Sequence, residues 1–304
     1  MKSNLPSMVK DQLKTFLWDF PTTGNYLLRR YLQKHLKVEM DLIQGKHQSD
    51  NTLPSIIHFS ANKAATQHVR DLLGRCAAEN GMTTVGLAEY AFHTNFPYLD
   101  QLSCREMESY QYLFKPAGYL YTVFGGMVEG IQELERYRVI LMLRDPRDVL
   151  VSEYYSYAFS HPEPSKFGSK YNNFMAMRRK AQNVLIDEYV ENECDRIFAT
   201  YQRYATLLLD RYPHVFFTKY EEMTSDFQGW LKKLLDYCGL EISDQLFDSL
   251  LNEAEHLRPK NEDIHQHVRK GIPGDYMVKL GSKTIAELNS KLLPVLERFN
   301  YLEG

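Results

Sequence analysis

Short apolar runs alternate with longer amphipathic stretches along most of this chain of 304 residues. The run Arg138–Leu143 (RVILML) and the shorter run at 56–59 (IIHF) each end at a polar turn, which is typical of buried strands. Runs at 83–87 and 215–218 are also strand-like. Helical patterns occupy much of the remaining chain, at 11–40, 67–79, 149–159, 200–211, 227–238, 243–254 and 284–299.

Strands that alternate with helices predict a parallel sheet covered by helices on both faces. We therefore expect an α/β fold, with a P-loop-like parallel sheet flanked by helices, in a single domain over residues 51–304. Ligands of such sheets bind outside the carboxyl ends of the strands. The loops that follow the strands at 56–59 and 138–143 are therefore the first candidates for a functional site.

Residues 1–50 are predicted to form an N-terminal helical extension. The segment 21–24 (PTTG) is expected to break this extension into two helices, and 45–51 is a polar linker. The second helix, at 26–38, is rich in Arg, Lys and Leu, which indicates an amphipathic surface helix. Contact with a lipid or with a bound acceptor is the alternative for this helix.

The composition is that of an ordinary globular protein, with 44% hydrophobic and 25% charged residues. The net charge of −3 provides no general attraction to nucleic acid or to anionic membranes. The four cysteines are far apart and lack metal-ligand spacing, so we expect a reduced, cytoplasmic protein without a bound metal. No apolar run is long enough for a signal peptide or a membrane span.

The segment 60–68 (SANKAATQH) follows the first predicted strand and leads into a helix. Its small residues allow backbone N–H groups to approach an anion, and the helix N-terminus adds partial positive charge. Lys63 contributes a full charge and Thr66 a hydroxyl donor. The segment therefore has the chemistry of a phosphate-binding loop, although it lacks the GxxxxGK[ST] signature of nucleoside triphosphatases.

Two further segments have anion-binding chemistry. In 144–156 (RDPRDVLVSEYYS), Arg144 stands at the carboxyl end of a strand and Ser152 lies in the next helix, where both can bind one phosphate. The later segment 268–276 (VRKGIPGDY) places two cations before a glycine that allows the backbone to wrap an anion. A basic loop by itself is more often only solvated, so the combination of the three segments carries the prediction.

In this order, the three segments resemble the family of sulfotransferases that use 3′-phosphoadenosine-5′-phosphosulfate (PAPS). The family's 5′-phosphosulfate loop reads approximately PKSGTTW, and residues 62–68 (NKAATQH) match it. Its 3′-phosphate motif, RNPxDxxVSxYxx, corresponds to RDPRDVLVSEYY, and its RKGxxGDW motif corresponds to 269–276. The segment 219–223 (KYEEM) is similar to the family's YEDM element. The resemblance covers about 55–280 and is closest to the cytosolic branch.

The resemblance implies that PAPS is the co-substrate, that 3′-phosphoadenosine-5′-phosphate (PAP) is the product, and that no metal is required. Lys63 is expected to stabilise charge on the leaving phosphate oxygen during an in-line displacement at sulfur. The residues implied in PAPS binding are Lys63, Ala64, Ala65, Thr66, Gln67 and His68 in the first loop, Arg144 and Ser152 in the second segment, Tyr220, and Arg269, Lys270 and Gly271 in the late loop.

The chain departs from the family at the general base. Cytosolic members have their catalytic histidine in a Lys-Thr-His stretch before the 3′-phosphate strand, and we match this stretch to 114–117 (FKPA). Lys115 is expected to keep a catalytic role there, but the histidine is missing. The first candidate for the base is His93, and Glu89, His265 and His267 follow it.

Two more departures concern the cofactor. Gln67 replaces the family's second threonine in the first loop, and His68 replaces its tryptophan, which stacks on adenine. An imidazole can also stack on adenine, although with a smaller surface. His256 lies near a second adenine-contacting position of the family.

The predicted reaction is therefore sulfuryl transfer from PAPS to a hydroxyl or amine of a small-molecule or lipid-like acceptor. A long anionic glycan is disfavoured because the chain has no long basic track. Two different functions remain open, that of a P-loop kinase and that of a non-catalytic protein that binds PAP or PAPS. The kinase would need a Walker lysine-serine pair, which is absent, and it would leave the RKGxxGD motif unexplained. A non-catalytic binding protein would not need the catalytic Lys-Thr-His stretch, which is missing from this chain.

Overall fold

A computed structural model describes residues 21–164, 166, 170–256, 262–264 and 269–302. Five strands form one sheet, and each neighbouring pair is parallel. The strands are β1 (Ile56–Ser60), β2 (Thr83–Val85), β3 (Tyr119–Phe124), β4 (Arg138–Leu143) and β5 (Phe216–Lys219), in the order β2-β3-β1-β4-β5. The predicted α/β fold with a parallel sheet and flanking helices is therefore confirmed.

The helices of the described residues cover the sheet and extend beyond it. They are α1 (Pro21–His35), α2 (Lys37–Ile43), α3 (Thr66–Glu79), α4 (Leu87–His93), α5 (Cys104–Met107), α6 (Pro146–Tyr155), α7 (Lys170–Gln182), α8 (Ile186–Arg203), α9 (Tyr220–Ser225), α10 (Phe227–Cys238), α11 (Asp244–His256), α12 (Tyr276–Lys279) and α13 (Ser282–Arg298). Wider π-helical turns continue α6 over Ser156–Ser160 and α8 over Tyr204–Leu209.

The strand order produces a switch point between β1 and β4. From β1 the chain turns to one side to form β2 and β3, and then to the other side to form β4 and β5. The loops after β1 and β4 therefore diverge and leave a crevice at the carboxyl edge, where ligands of open α/β sheets bind.

The central strands are buried because helices cover both faces of the sheet. All five residues of β1 are buried, as are five of the six residues of β4. A strand that is buried on both faces is a continuous apolar run, which explains the pattern RVILML. Each fully buried aliphatic side chain of such a strand contributes about 1.5–3 kcal/mol to stability.

The structure corrects three of the expected elements. Strand β3, which lies between β1 and β2 in the sheet, was not predicted. The described chain is helical from Pro21 to His35, so the second predicted helix includes the segment 21–24 and does not begin after it. The predicted first helix, before Pro21, lies outside the described residues. Helix α8 begins at Ile186, whereas only its end was predicted.

Candidate active site

A cavity of about 700 Å³ opens at the carboxyl edge of the sheet. This volume lies within the range of small-molecule sites. The three predicted anion-binding segments and the segment at 219–223 all contribute to its wall. The predicted site residues that line it are Lys63, Ala65, Thr66, Gln67, His68, Arg144, Ser152, Tyr220, Arg269, Lys270 and Gly271.

The loop after β1 turns tightly before α3 begins. Lys63 and Ala65 have φ values of +69° and +55°, in the left-handed region that residues with a Cβ seldom adopt. Ala64 is fully buried beneath this loop, and its amide donates to the carbonyl of Ala61 at 3.2 Å. Thr66 and Gln67, the first residues of α3, line the cavity, where a helix N-terminus favours an anion.

Lys63 is anchored by a neighbour from another segment. Its Nζ donates to Oγ of Ser156 at 2.9 Å, in the turn that continues α6. Burial lowers the pKa of Lys63 to about 8, and the nearby carboxylate of Glu153 opposes this shift. Glu153 is itself fully buried and pairs with Arg196. Lys63 is therefore mostly protonated at neutral pH and loses its charge in mildly alkaline solution.

Arg144 joins the segments that line the cavity. One terminal nitrogen of its guanidinium donates to the carbonyl of Lys63 at 3.1 Å, and the other donates to Asp148 at 3.1 Å and to the carbonyl of Ile272 at 3.3 Å. Its guanidinium carbon lies 4.5 Å from the ring centre of Tyr220. The Nε of Arg144 is buried and has no hydrogen-bond partner in the protein, which leaves a strong donor for a bound anion.

Asp148 holds the late loop against α6. Its carboxylate accepts hydrogen bonds from the amides of Gly274 (2.7 Å) and Tyr276 (3.0 Å) as well as from Arg144. It is fully buried, so these three donors compensate for the loss of its hydration. Through Asp148, the motif after β4 fixes where the late loop stands.

The cations of the late loop are oriented by a second buried carboxylate. Arg269 and Lys270 both pair with Asp275, and Arg269 lies 4.3 Å from the ring centre of Tyr155. Burial by itself raises the pKa of Asp275, but the hydrogen bonds and charges of the two cations outweigh it and hold the pKa below its usual value. The cations are thus in place before any ligand binds.

Helices α9, α10 and α11 contribute both apolar and polar side chains to the cavity wall. His68 packs against Phe227, with ring centres 5.9 Å apart, and Met223, Leu251 and Ala254 line the same region. Burial lowers the pKa of His68, and its Nε2 is buried without a partner. Apolar walls with a few polar groups suit a flat heteroaromatic ring. Helix α11 ends at His256, whose side chain lies outside the description.

The predicted base His93 does not line the cavity. It ends α4, and its ring packs against Tyr31 and Phe92, with ring centres 4.9 Å and 5.0 Å apart. Glu89 is also absent from the lining and forms an ion pair with Arg70 at 2.6 Å. The role of base suggested for His93 therefore does not fit its position. His265 and His267, the remaining candidates for the base, lie outside the described residues.

Lys115 is placed at the opposite edge of the sheet. It precedes β3, and the adjacent carbonyl of Pro116 accepts the amide of Ser55, which immediately precedes β1. A six-residue strand such as β3 is about 20 Å long, and this is well beyond the reach of a lysine side chain. The predicted catalytic role of Lys115 is therefore corrected, because its position is at the amino edge.

The segment before β4 that does reach the carboxyl edge is the end of β3. Phe124 is followed by Gly125, where an added Cβ would come within 2.7 Å of Asn62 in the loop after β1. This stretch contains no histidine. The segment 114–117 was matched to the Lys-Thr-His stretch because β3 had not been recognised as a strand.

Several cavity residues were not predicted from the sequence. Ser156, Tyr157, Ser160 and His161 line the cavity, and Ser156 contacts Lys63. All four lie in or just after the π-helical turn that continues α6. An α-helical periodicity assigns different faces to these residues, so the pattern did not reveal them. Their only sequence signal was the density of Tyr, Ser and His after the 3′-phosphate motif.

Comparisons with known proteins agree with the sequence motifs. Residues 130–291 match the family model described as "Sulfotransferase domain", which is more than half of the chain. The chain is 24% identical to Sulfotransferase 1E1 of Cavia porcellus over 159 residues (47% of the chain and 49% of the relative). It is 26% identical to Sulfotransferase 2A1 of Rattus norvegicus over 155 residues (46% and 49%). The chain spans about half the length of these curated relatives.

Solved structures with similar folds include mouse sulfotransferase SULT7A1 complexed with PAP, at 16% identity and a TM-score of 0.48 over 84% of this chain and 89% of the other. Another is retinol dehydratase in complex with androsterone and PAP, at 15% identity and a TM-score of 0.46 over 80% of each chain. Family membership rests on the sequence match instead. On that match, the chain belongs to the sulfotransferase domain family.

Proposed function

We propose that this protein is a PAPS-dependent sulfotransferase, which moves a sulfuryl group from PAPS to a hydroxyl or amine of a small-molecule or lipid-like acceptor and releases PAP. The observation that carries the proposal is the position of Arg144. Its guanidinium contacts both the loop of Lys63 and the late loop at Ile272. A single cavity therefore contains cations from three separate segments, which suits a ligand with two separate anionic groups.

The proposed roles follow the positions of the side chains. The backbone amides of Ala65–Gln67, with Lys63 and the hydroxyl of Thr66, would hold the 5′-phosphosulfate at the N-terminus of α3. The 3′-phosphate would be held by Arg144, Ser152, Arg269, Lys270 and the amide of Gly271, and the adenine would lie between His68 and Tyr220. The unpartnered Nε of Arg144 supports this fit, because a phosphate oxygen would satisfy a donor that the protein leaves unpaired.

Sulfuryl transfer is accelerated by a cation next to the leaving phosphate oxygen, on which negative charge develops. As the bond from sulfur to the bridging oxygen breaks, the ammonium group of Lys63 stabilises the negative charge on the phosphate oxygen. Because this cation is already positioned by Ser156, little reorganisation is needed during the reaction. The same charge would also favour binding of the anionic co-substrate.

The absence of disulfides among the four cysteines supports a cytoplasmic location, which we include in the proposal. Cys76, Cys104, Cys194 and Cys238 are all free thiols, as is usual in a reducing compartment. Within the described part of the chain, no helix combines the length and the apolar character needed to cross a membrane.

The proposal is tested by calorimetry followed by a transfer assay. We expect PAP to bind without a divalent metal and much more tightly than ATP with Mg²⁺. Sulfur-labelled PAPS is then incubated with phenols, alcohols and amines, and label is expected on at least one acceptor. Tighter binding of ATP with Mg²⁺ would indicate a kinase, and tight PAP binding without any transfer would indicate a non-catalytic binding protein.

A further inference from the structure

We propose that His161 is the general base that accepts the proton of the acceptor, an inference that rests on the proposed sulfuryl transfer. His161 lines the same cavity as Lys63. Its amide donates to the carbonyl of Ser156 at 2.7 Å, and the hydroxyl of Ser156 accepts the hydrogen bond from Lys63 at 2.9 Å. His161 is therefore one π-helical turn along the chain from Ser156, which anchors the lysine proposed to face the leaving group.

The hydrogen bonding of the ring fixes its tautomer. Nδ1 of His161 lies 2.8 Å from the carbonyl oxygen of Pro162. A carbonyl oxygen can only accept, so Nδ1 carries the proton in this hydrogen bond. In the neutral imidazole, the lone pair is consequently on Nε2, the nitrogen that would receive a proton. A carbonyl that holds Nδ1–H orients the base in the way that catalytic histidines require.

The position of the ring is supported on several sides. The ring stacks on that of Tyr157, with ring centres 5.6 Å apart and planes inclined by 24°. Its centre also lies 5.4 Å from the ring centre of Phe174 and 6.1 Å from that of Phe92. Arg178 donates to the carbonyls of both Tyr157 and His161 and is itself paired with Glu163. Such support holds a catalytic group in its productive geometry before the substrate arrives.

Within the described part of the chain, three other titratable groups near the cavity fit the role less well. His68 lies beside Phe227, at the end assigned to adenine. Burial raises the pKa of Tyr157 far above its usual value, so its hydroxyl is not ionised near neutral pH. Glu153 is fully buried and pairs with Arg196, and it does not belong to the lining. Among the described lining residues, His161 combines an imidazole with proximity to Lys63.

The step balances without any further reactant. The acceptor oxygen forms a bond to sulfur while its proton moves to Nε2 of His161. The bond from sulfur to the bridging phosphate oxygen breaks, and its electron pair remains on the phosphate of PAP, next to the ammonium group of Lys63. The imidazolium then releases the proton to solvent.

The test is substitution of His161 with asparagine, whose side-chain amide can still donate to the carbonyl of Pro162. Formation of PAP from labelled PAPS is measured with 2-naphthol as the acceptor. If the wild-type protein does not accept 2-naphthol, PAP formation is measured with water as the acceptor. We expect kcat to fall about 10²–10⁴-fold, with an unchanged Kd for PAP by calorimetry. We expect added imidazole to restore part of the activity of His161→Ala. His93→Gln is the control and should leave kcat unchanged.

The outcomes separate the two proposals. If the wild-type protein does not bind PAP, the proposed function fails. If it binds PAP but forms none from PAPS with either acceptor, the inference about His161 is overturned while PAP binding stands. The inference is also overturned if His161→Asn keeps a kcat close to that of the wild type.

Discussion

The Nζ of Lys63 lies 2.9 Å from the Oγ of Ser156, although the two residues are 93 positions apart in the chain. The contact joins the loop after β1 to the turn after α6, across the switch point of the sheet. It holds the lysine at the cavity in the absence of a ligand. Because burial lowers the pKa of Lys63 to about 8, the charge on which the proposed chemistry depends varies with pH in an accessible range.

We expect kcat/KM for PAPS to fall as the pH rises above about 8. The pKa of Lys63 is lowered, so the ammonium form predominates below this value and is lost above it. The fall should approach tenfold per pH unit, because kcat/KM reports the ionisation of the free enzyme. The measurement is a pH profile of initial rates between pH 6 and about 10.

Lys63→Arg is the matched variant for this profile. A guanidinium group stays charged throughout the range, so the alkaline fall should disappear even if the rate is lower at every pH. A wild-type profile that is flat to pH 10, or an unchanged fall in Lys63→Arg, would show that Lys63 does not titrate as described.

Replacement of Arg144 by lysine should weaken PAP binding. Lysine retains the charge but cannot contact the carbonyls of Lys63 and Ile272 while also presenting a planar fork to a phosphate. We expect Kd for PAP to rise about 10–100-fold, or about 1.4–2.8 kcal/mol, as measured by calorimetry.

Arg147→Lys provides the comparison. Arg147 is also buried and lies three residues after Arg144, in α6. It bonds to Asp145, Asn289 and the carbonyl of Tyr301 and does not line the cavity. This variant should have a lower Tm and an unchanged Kd for PAP. If both variants lost PAP affinity to the same degree, the specific role of Arg144 would be rejected.

Asp148→Asn should destabilise the late loop and the protein as a whole. The fully buried carboxylate accepts from Arg144, Gly274 and Tyr276, and an amide can neither balance the guanidinium charge nor accept through its nitrogen. We expect a loss of about 2–4 kcal/mol in the free energy of unfolding, measured in urea.

The control for Asp148 is Asp210→Asn, which removes a solvent-exposed ion pair with Arg298. Exposed pairs contribute roughly 0–1 kcal/mol, so this change should be small. Comparable losses in the two variants would contradict the proposed coupling between α6 and the late loop.

Acid should destabilise the protein partly through His58 on β1. Complete burial lowers the pKa of His58 to about 3, and Nδ1 lies 3.1 Å from Oγ1 of Thr122. The unfolded chain therefore binds a proton near pH 6.5 that the folded protein does not accept until about pH 3. Stability is complete above pH 6.5 and falls as the pH decreases, by about 2 kcal/mol at pH 5.

Urea unfolding of the wild type and of His58→Gln at pH 7, 6 and 5 tests this expectation. The variant should be less stable at pH 7, because it perturbs a packed strand, but its stability should depend less on pH. Since all remaining titrating groups are common to both proteins, the difference between the two slopes isolates His58. Parallel slopes would rule out His58 as a source of acid sensitivity.

The sequence determined the central strands and the segments that meet beyond them. Arg138–Leu143 was predicted with its observed bounds, because a strand covered on both faces needs an uninterrupted apolar run. Lys63, Arg144 and Arg269 were predicted to share one site, since their segments combine anion-binding chemistry with the family order. These features are local in the chain, and local patterns are visible in a sequence.

Strand β3 was hidden by its composition. Its six residues, YLYTVF, mix aromatic, apolar and polar side chains and do not form a continuous aliphatic run. Its burial comes from the neighbouring strands β1 and β2 and from the helices on the sheet faces. The sequence alone does not reveal the order of the strands in the sheet. Without β3, the stretch around Lys115 was assigned to the carboxyl edge.

Only the tertiary structure decided which side chains meet. The sequence placed His93 near the site because it follows a strand, whereas packing of α4 directs its ring toward Tyr31. A change from α-helical to π-helical turns after α6 instead brings His161 and Ser156 to the cavity. The physical reason is that periodicity specifies which face of an element is apolar, whereas the contacts of a polar side chain depend on how several elements pack together.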